Sequence, residues 1–342
     1  MSKYDISIAS NEAFMPGAFM ALASLARNAR SESQLVFHVF TEQVNPRTMD
    51  ELRRVLKRIH PESVVKQYEC DDKLLDGLPY WAGSRMASVR VYFPQIMKEV
   101  DRCLYLDCDI VYLASVEEHF SLFDESKYAV VVKDEGDHFC WNEVDRIEKH
   151  VGVKIDRGEY FNSGVILFNF KKMREDNMSQ KLADFMVDHP DSALPDQTAL
   201  NCIFNHQTVM APGKYNRLIP QLTPEMLYER PVLHFISGKP WTQKFGEVAN
   251  ARFRFWHEYA DKIIWHKSGT SMKRLFSKRM IVIKYILYWA LWLPFLGHFL
   301  SWIMNALGKT AGTPQEWRNA QIVRLQEGRE MHIAFARILD LQ

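Results

Sequence analysis

The chain has 342 residues, of which 47% are hydrophobic and 25% are charged. This length and composition describe a globular protein with a large core and exclude a disordered chain. Lys and Arg number 43 against 42 Asp and Glu, so the net charge of +1 argues against a globally basic nucleic-acid-binding protein. The charge is unevenly distributed, because no Asp or Glu occurs between Lys262 and Lys309.

The five cysteines are an odd number and include no Cys-x-x-Cys pair. The sequence therefore predicts neither a zinc ribbon nor a secreted disulfide framework, and a reducing cytoplasm fits this usage best. Residues 1–9 lead directly into a strand-like segment and contain no apolar signal-peptide core, so we expect a protein that is not exported.

Short apolar segments alternate with longer amphipathic segments through much of the chain. The predicted strands are Tyr4–Ala9, Gln34–Phe40, Val64–Tyr68, Cys103–Tyr112, Tyr128–Lys133 and Gly164–Phe170, with Leu233–Ile236 as a short strand or loop. The predicted helices are Gly17–Ala29, Thr48–Ile59, Ser84–Lys98 with a kink at Pro94, Leu182–Asp188 and Gln197–Phe204. This alternation is typical of an α/β fold with a Rossmann-like, mostly parallel sheet that is flanked by helices.

Two carboxylates stand at the end of one predicted core strand. Asp107 and Asp109 follow directly after the apolar residues 104–106. Burying unpaired charge is costly, and a divalent cation with carboxylate ligands would remove that cost. In open α/β sheets, the carboxyl ends of the strands are also where ligands bind. The pattern indicates a metal site; the alternative is a turn in which one Asp caps the following helix.

Three later segments carry further polar candidates, and each has a structural alternative. The Asn-Ser-Gly sequence at 162–164 predicts a tight polar turn before a strand, in which the amide binds a ligand or Gly164 shapes the backbone. Asp196 is predicted on local grounds to be a helix N-cap. His234 follows apolar residues, where a structural role is the commoner one, and the Gly-Lys pair at 238–239 is commonly part of a loop.

Six short motifs occur in a definite order: Ile8–Asn11, Ala87–Pro94, Leu104–Asp109, Phe161–Gly164, Pro195–Gln197 and His234–Trp241. Together they resemble glycosyltransferase family 8, whose members are nucleotide-sugar enzymes with the GT-A fold. The chain resembles in particular the bacterial members that add glucose or galactose to lipopolysaccharide or lipooligosaccharide at the cytoplasmic side of the membrane. The resemblance implies a GT-A catalytic domain over residues 1–262 and an enzyme that retains anomeric configuration.

The resemblance also implies roles for individual residues. Asp107, Asp109 and His234 would hold Mn²⁺ against the donor diphosphate. Mn²⁺ fits two carboxylates and an imidazole better than the alternative ion Mg²⁺, because Mg²⁺ prefers shells of oxygen alone. The implied catalytic residues are Gln197, Asp196 and Asn162. The implied donor-binding residues are Ala9, Asn11, Phe14, Arg90, Asp107, Cys108, Asp109, Asp134, Asn162, Ser163, Asp196, Gln197, Gly238 and Lys239.

The chain departs from the family pattern at the expected nucleoside site. Asn11 stands where an Asp is usual and Phe14 where a Tyr is usual, although an amide can still pair with a uracil edge.

Gln197 is a poor nucleophile, so we expect a front-face route in which the acceptor hydroxyl attacks from the side of the leaving diphosphate. Asp196 is the one obvious carboxylate beside Gln197, and a covalent route through it is the alternative.

Residues 263–342 are predicted to be a basic and aromatic helical region that associates with membranes. Its apolar segment 280–304 is interrupted by Lys284 and Pro294, whereas a spanning helix needs about 20 apolar residues. We therefore favour helices that lie in the membrane interface over a true span. In that arrangement the Lys and Arg residues of 263–309 face anionic lipid headgroups.

The resemblance implies a Mn²⁺-dependent hexosyltransferase that uses UDP-glucose or UDP-galactose and a glycolipid acceptor. We expect the protein to be cytoplasmic and peripheral on the inner face of the cell membrane. Two alternatives stay open. One is a membrane-associated nucleotide-sugar-binding protein without transferase activity. The other is a metal-dependent nucleotidyltransferase, although the sequence contains neither Gly-x-Gly-x-x-Gly nor a phosphate-binding loop motif.

Overall fold

The computed structural model describes residues 2–80, 84–135, 138–236, 238–242, 251–264, 330–331 and 333–339. The chain divides into two compact units. The first contains Met1–Gln221 and Glu229–Ser237, and the second contains Leu222–Tyr228 and Gly238–Gln342. The domain boundary predicted at 262/263 falls within the second unit and stays a prediction, because residues 265–329 lie outside the described part of the chain.

The elements with defined bounds are ten strands and ten α-helices, with short 3₁₀ helices and one π-helical turn between them. Residues 330–331 and 333–339 are also helical. The strands are β1 (Lys3–Asn11), β2 (Gln34–Glu42), β3 (Val64–Glu69), β4 (Arg102–Leu106), β5 (Ile110–Tyr112), β6 (Ala129–Lys133), β7 (Phe161–Asn169), β8 (Thr208–Met210), β9 (Arg217–Leu218) and β10 (Val232–His234). The helices are α1 (Met15–Asn28), α2 (Pro46–Ile59), α3 (Asp72–Leu75), α4 (Phe93–Ile96), α5 (Val116–Phe120), α6 (His138–Arg146), α7 (Phe170–Glu175), α8 (Met178–Asp188), α9 (Pro195–Ile203) and α10 (Ala251–Ile263).

The main sheet has seven strands in the order β3-β2-β1-β4-β7-β6-β8. Strands β1 to β4 are parallel neighbours, whereas β7 runs antiparallel to both β4 and β6. The inner strands are buried along nearly their whole length, while β3 at the edge is largely exposed. Burial of both faces is expected when helices cover a sheet on each side. The predicted α/β class with a mostly parallel sheet is confirmed.

Helix α2 shows how local sequence sets an element. Asn45 caps its first turn by accepting a hydrogen bond from the Arg47 backbone, and Pro46 occupies a position where its missing N–H costs nothing. The apolar residues Met49, Leu52, Val55 and Leu56 are all buried, whereas the intervening Lys and Arg residues face outward. Their spacing forms one buried apolar stripe along the helix, as the sequence predicted.

The predicted strand Cys103–Tyr112 is two strands in different sheets, so that prediction is wrong. β4 ends at Leu106, and the chain enters a small sheet of order β5-β10-β9 at Ile110. There Ile110 pairs antiparallel with His234, and the Phe235 backbone N–H donates to the Asp109 carbonyl. The two Asp residues occupy the bend between the sheets because their charged side chains cannot continue a buried strand.

The predicted helix Ser84–Lys98 is also wrong as a single element. A 3₁₀ helix spans Ser88–Tyr92, and the short α4 follows it. Pro94 lies in the first turn of α4 and does not kink a longer helix. Proline has no N–H and clashes with a preceding helical turn, so it begins a helix more easily than it continues one.

The predicted polar turn at 162–164 lies inside β7, so the strand begins earlier than predicted. Asn162 pairs with Val132 of β6 next to a bulge, and β7 runs from there to Asn169. Side chains of α9 supply the missing backbone partners. The Ser163 N–H donates to Gln197, and Asn201 both accepts from the Phe161 N–H and donates to its carbonyl.

In the second unit, helix α10 packs against the C-terminal helical residues of the described range. The rings of Phe255 and Phe335 stack at 4.2 Å between centroids, and Trp256 lies fully buried. No helix in the described part of the chain is long and apolar enough to cross a membrane. Most of the predicted membrane-associating segment 263–309 lies outside the described residues.

Glu143 of α6 is a buried carboxylate that accepts hydrogen bonds from Ser192 (2.6 Å), Thr198 (2.7 Å) and Arg146 (2.9 and 3.0 Å). Burial alone would raise its pKa, but the hydrogen bonds from these partners hold the pKa below its ordinary value. The carboxylate therefore stabilises the fold above the unfolded-state pKa of about 4.3 and loses this contribution as pH falls through the folded pKa.

We expect Glu143→Gln to lower the free energy of unfolding by roughly 1–3 kcal/mol at pH 7 and by much less below about pH 3. Urea unfolding at the two pH values measures the difference. The matched control Glu148→Gln changes an exposed carboxylate on the same stretch of chain and should have little effect at either pH. An equal loss at both pH values would contradict the assignment.

Candidate metal and donor-binding site

Two carboxylates and one imidazole converge where the main sheet meets the small sheet. Asp107 follows β4, Asp109 precedes β5, and His234 ends β10. One donor atom from each residue lies within 4.8 Å of those of the other two. The Nε2 atom of His234 is 3.2 Å from Asp109 Oδ1 and 3.8 Å from Asp107 Oδ2. The fold thus brings His234 to an Asp pair that lies more than 120 residues earlier in the sequence.

The donor set and its surroundings fit a divalent cation. Two carboxylates with one imidazole suit Mn²⁺, and His234 Nδ1 is bonded to Asn216 so that Nε2 faces the carboxylates.

The site also leaves no room for a side chain at Gly164. A Cβ there would lie 2.8 Å from His234 Nδ1 and 3.0 Å from Asp107 Oδ2. Glycine at this position is therefore required by close approach.

Arg90 lies next to the metal-ligand cluster and is 2% exposed. Its Nη2 atom is 3.0 Å from Asp107 Oδ1 and 3.3 Å from Asp196 Oδ2, and its guanidinium lies 4.0 Å from the ring centroid of Tyr105. Burial alone would lower the pKa of Arg90, but the neighbouring Tyr105, Asp107 and Asp196 raise it by more, so the pKa lies above its ordinary value. Arg90 is therefore a fixed positive charge between two carboxylates.

Asp196 faces Arg90 instead of capping its own helix. The N-cap of α9 is Leu194, which makes no side-chain cap bond, so the predicted N-cap role of Asp196 is wrong. Its Oδ2 atom accepts a hydrogen bond from the Ser163 hydroxyl at 3.3 Å as well as pairing with Arg90. Burial raises the pKa of Asp196, and the positive charge of Arg90 opposes this rise.

Gln197 is held in one orientation by three hydrogen bonds. Its Oε1 atom accepts from the Ser163 N–H at 3.0 Å, while Nε2 donates to Asp134 at 3.2 Å and to the Tyr160 hydroxyl at 3.1 Å. Asn162 donates to the same Asp134 oxygen at 3.2 Å. The three predicted catalytic residues thus lie around the start of β7, close to the metal-ligand cluster.

Four residues of this network were not predicted, and two of them had a signal in the sequence. Tyr105 lies two residues before Asp107, so both point to one face of a strand, and its hydroxyl donates to that carboxylate. Asn201 lies four residues after Gln197 on one face of α9. The other two are Tyr160 and Asn216, whose partners are distant in sequence; nothing local marks them.

The predicted nucleoside residues lie at the end of β1. The Ala9 carbonyl accepts from the Cys108 thiol at 3.2 Å, which ties β1 to the Asp-Cys-Asp segment. The Asn11 side chain accepts from the Phe14 N–H at 3.2 Å and caps the 3₁₀ helix that follows β1. Residues 238–239 belong to the second unit. The ligand contacts of all these residues stay predictions.

A mixed α/β sheet with an Asp-x-Asp pair after a central strand and a histidine from a later strand defines the GT-A class of glycosyltransferase fold. Residues 5–244 match the model of Glycosyl transferase family 8, and the chain belongs to this family. The resemblance inferred from the six motifs is confirmed.

Two curated relatives and one solved structure show the range of similarity. The chain is 27% identical over 225 residues to a lipopolysaccharide 1,2-glucosyltransferase of Escherichia coli, and the match covers 62% of each chain. It is 28% identical over 257 residues to the lipopolysaccharide 1,3-galactosyltransferase of Salmonella typhimurium, covering 70% of this chain and 73% of the relative. The galactosyltransferase LgtC, solved with donor and acceptor sugar analogs, aligns with a TM-score of 0.62 at 18% identity. That alignment covers 80% of this chain and all of LgtC, and it supports the fold.

Proposed function

We propose that this protein is a retaining glycosyltransferase that moves glucose or galactose from a UDP-sugar to a lipopolysaccharide-type glycan acceptor. The observation that carries the proposal is the convergence of Asp107, Asp109 and His234 beside Arg90 and Gln197 in a family 8 fold. Two relatives named as lipopolysaccharide glucosyl- and galactosyltransferases support the choice of sugar and acceptor.

Asp107, Asp109 and His234 would hold Mn²⁺, with Mg²⁺ as the alternative ion. When bound there, the cation would offset the negative charge that develops on the departing diphosphate. Lys239 and the Gly238 backbone would contact the same diphosphate. Two side chains hold Asp107 in place, because Arg90 and the Tyr105 hydroxyl both donate hydrogen bonds to its Oδ1 atom.

The remaining donor contacts would divide between nucleoside and sugar. Ala9, Asn11, Phe14 and Cys108 lie at the end of β1 and in the Asp-Cys-Asp segment, and they would hold the nucleoside. Arg90, Asp134, Asn162, Ser163, Asp196 and Gln197 would line the sugar. These six residues lie in one hydrogen-bonded network around the start of β7, which supports a single rigid sugar pocket.

A front-face route would account for retention of the anomeric configuration. Cleavage of the anomeric C–O bond leaves positive charge on the sugar, and the Gln197 amide would shield it. The acceptor hydroxyl would attack from the side of the leaving diphosphate and pass its proton to a phosphate oxygen. A covalent route needs a carboxylate nucleophile. Asp196 is already engaged by Arg90 and Ser163, so using it would break a buried ion pair.

The proposal is tested by hydrolysis and transfer assays with UDP-glucose and UDP-galactose. We expect the wild type to cleave one of the two donors when Mn²⁺ is present and to lose the activity in EDTA. Asp109→Asn should lose at least about 100-fold, because it removes one ligand charge. The control Asp101→Asn changes an exposed carboxylate at the start of β4 and should keep activity.

Three outcomes would contradict the proposal. Binding of UDP-sugar and Mn²⁺ without any cleavage would favour the binding-protein alternative. Nucleotidyl transfer from a nucleoside triphosphate would favour the nucleotidyltransferase alternative. Proton NMR of the transferred hexose reports its anomeric configuration, and a β-linked product would exclude retention.

We also propose that the protein is cytoplasmic and peripheral on the inner face of the cell membrane, held there by residues 263–309. The segment has no acidic residue between Lys262 and Lys309, so no negative side chain there would repel an anionic surface. Each Lys or Arg near such a surface contributes about 1 kcal/mol to the free energy of membrane binding. We expect a high-salt or alkaline wash to release the full-length protein from membranes. Retention in the membrane after both washes would indicate a spanning segment instead.

A further inference from the structure

A directional chain of side-chain hydrogen bonds joins Asp134 to the imidazole of His234. Asn162 Nδ2 donates to Asp134 Oδ2 at 3.2 Å, and Asn216 Nδ2 donates to Asn162 Oδ1 at 2.9 Å. Asn216 Oδ1 then lies 3.0 Å from His234 Nδ1. Asp134, Asn216 and His234 are all at most 4% exposed, so water does not compete freely for these bonds.

The direction of this chain is set at Asn162 by two partners that cannot change their roles. The Asp134 carboxylate can only accept a hydrogen bond, and the Gly164 backbone N–H can only donate one. Asn162 Oδ1 accepts from that N–H at 3.0 Å. Rotating the amide by half a turn would place its NH₂ against the Gly164 N–H and its oxygen against the carboxylate. One orientation of Asn162 is therefore strongly preferred.

The orientation of Asn162 determines that of Asn216. The Asn162 oxygen requires a donor from Asn216, so the Asn216 NH₂ group faces it and the Asn216 oxygen faces His234. That oxygen can only accept, so His234 Nδ1 must carry a proton. A neutral imidazole has one N–H, which leaves the lone pair on Nε2. This is the nitrogen that faces Asp109 and Asp107.

Aromatic packing holds Asn216 in place for this role. Asn216 ends a 3₁₀ helix that begins at Gly213, and the preceding Tyr215 ring stacks on His119 at 4.2 Å between centroids. The His119 ring is in turn bonded through Nδ1 to the Tyr112 hydroxyl at 3.0 Å. Burial lowers the pKa of His119 to about 3, so the stack stays neutral at physiological pH.

We propose that Asn216 is a positioning residue that fixes His234 in the Nδ1–H tautomer before a cation binds, with Asp134 and the Gly164 N–H setting the direction. The inference deepens the proposed function and rests on its metal centre. Hydrogen bonds to the second nitrogen of a metal-binding histidine fix its tautomer and orientation in metalloproteins generally. Here a neutral amide would do this, and its own orientation would be set by a more distant carboxylate.

The test reads the His234 tautomer directly in the metal-free protein. Long-range ¹H–¹⁵N correlation spectra at about pH 8 distinguish the protonated nitrogen of each neutral imidazole. His234→Gln assigns the signals among the 12 histidines. We expect wild-type His234 to carry a proton on Nδ1. Asn216→Ala should show a mixture of tautomers and bind Mn²⁺ about 10- to 100-fold more weakly by calorimetry.

The control Asn205→Ala removes an asparagine whose side chain bonds the Lys154 carbonyl at the surface, and it should leave both measurements unchanged. A wild-type His234 without a proton on Nδ1 would overturn the inference even if Asn216→Ala does not fold. So would a folded Asn216→Ala with unchanged tautomer and affinity. Because the spectra need neither donor nor acceptor, this failure is distinguishable from loss of the proposed activity, which the Asp109→Asn assay reports.

Discussion

Gly164→Ala is expected to weaken Mn²⁺ binding at least about 100-fold, to the level of losing a ligand. The added Cβ would overlap the His234 ring, with its Nδ1 atom only 2.8 Å away, and would lie 3.0 Å from Asp107 Oδ2. The ring cannot move aside without breaking its bond to Asn216, because it is 3% exposed and packed on all sides. Displacement of His234 would separate its Nε2 atom from both carboxylates.

Calorimetric titration with Mn²⁺ measures the effect, and donor cleavage should fall in parallel. Gly158→Ala is the matched control, because its new Cβ would meet only the exposed Asp156 side chain, at 3.1 Å. We expect this control to bind Mn²⁺ like the wild type. A folded Gly164→Ala protein with wild-type Mn²⁺ affinity would show that His234 is not a ligand.

Arg90→Met is expected to lower the free energy of unfolding by about 3–5 kcal/mol, because it removes one partner of a buried charge cluster. Asp196 is 5% exposed and would be left without its cation, and Asp107 would lose one of the groups that hold it. Donor cleavage should fall as well, because Asp107 is a proposed metal ligand. Denaturant unfolding and the donor assay measure the two effects separately.

The stability loss of Arg90→Met should also depend on pH. Burial already raises the pKa of Asp196 and Arg90 opposes that rise, so the pKa in the variant should be higher still. A carboxyl whose folded pKa is raised stabilises the fold at low pH and loses that contribution as pH rises through the folded pKa. The deficit should therefore shrink as pH is lowered.

Arg54→Met is the control for Arg90→Met, because Arg54 pairs with Glu51 on the exposed face of α2. It should cost no more than about 1 kcal/mol. Equal losses for the two variants would contradict the role of Arg90 as the central charge of the cluster.

Sequence patterns predicted most of the framework that carries the site. Alternation of apolar and amphipathic segments located β1, α1, β2, α2 and β3, because short apolar runs mark buried strands and longer periodic segments mark helices. The predictions failed where a neighbour, and not the local pattern, decides the backbone. The start of β7 is extended by pairing with β6 and by side chains of α9. Pro94 lies in the first turn of a short helix that follows a 3₁₀ helix.

The site residues likewise fall into those that the sequence identifies and those whose contacts depend on distant parts of the chain. The Asp-x-Asp pair, the distant histidine and the family 8 motifs are visible in the sequence, because these chemistries need particular residue types at particular positions. Asp196 shows the limit of local reasoning. Its position predicts an N-cap, yet the helix begins one residue earlier, and the carboxylate pairs with the buried Arg90 from another element.

The amino-acid sequence by itself determined the α/β class, the family and the identity of the carboxylate pair and histidine, since periodicity and ordered motifs are properties of the chain alone. Only the tertiary structure decided that Arg90 lies between Asp107 and Asp196 and that Asn216 faces His234. Both arrangements join residues that are far apart along the chain. Their energies depend on burial and on hydrogen-bond direction, which exist only once the strands have paired.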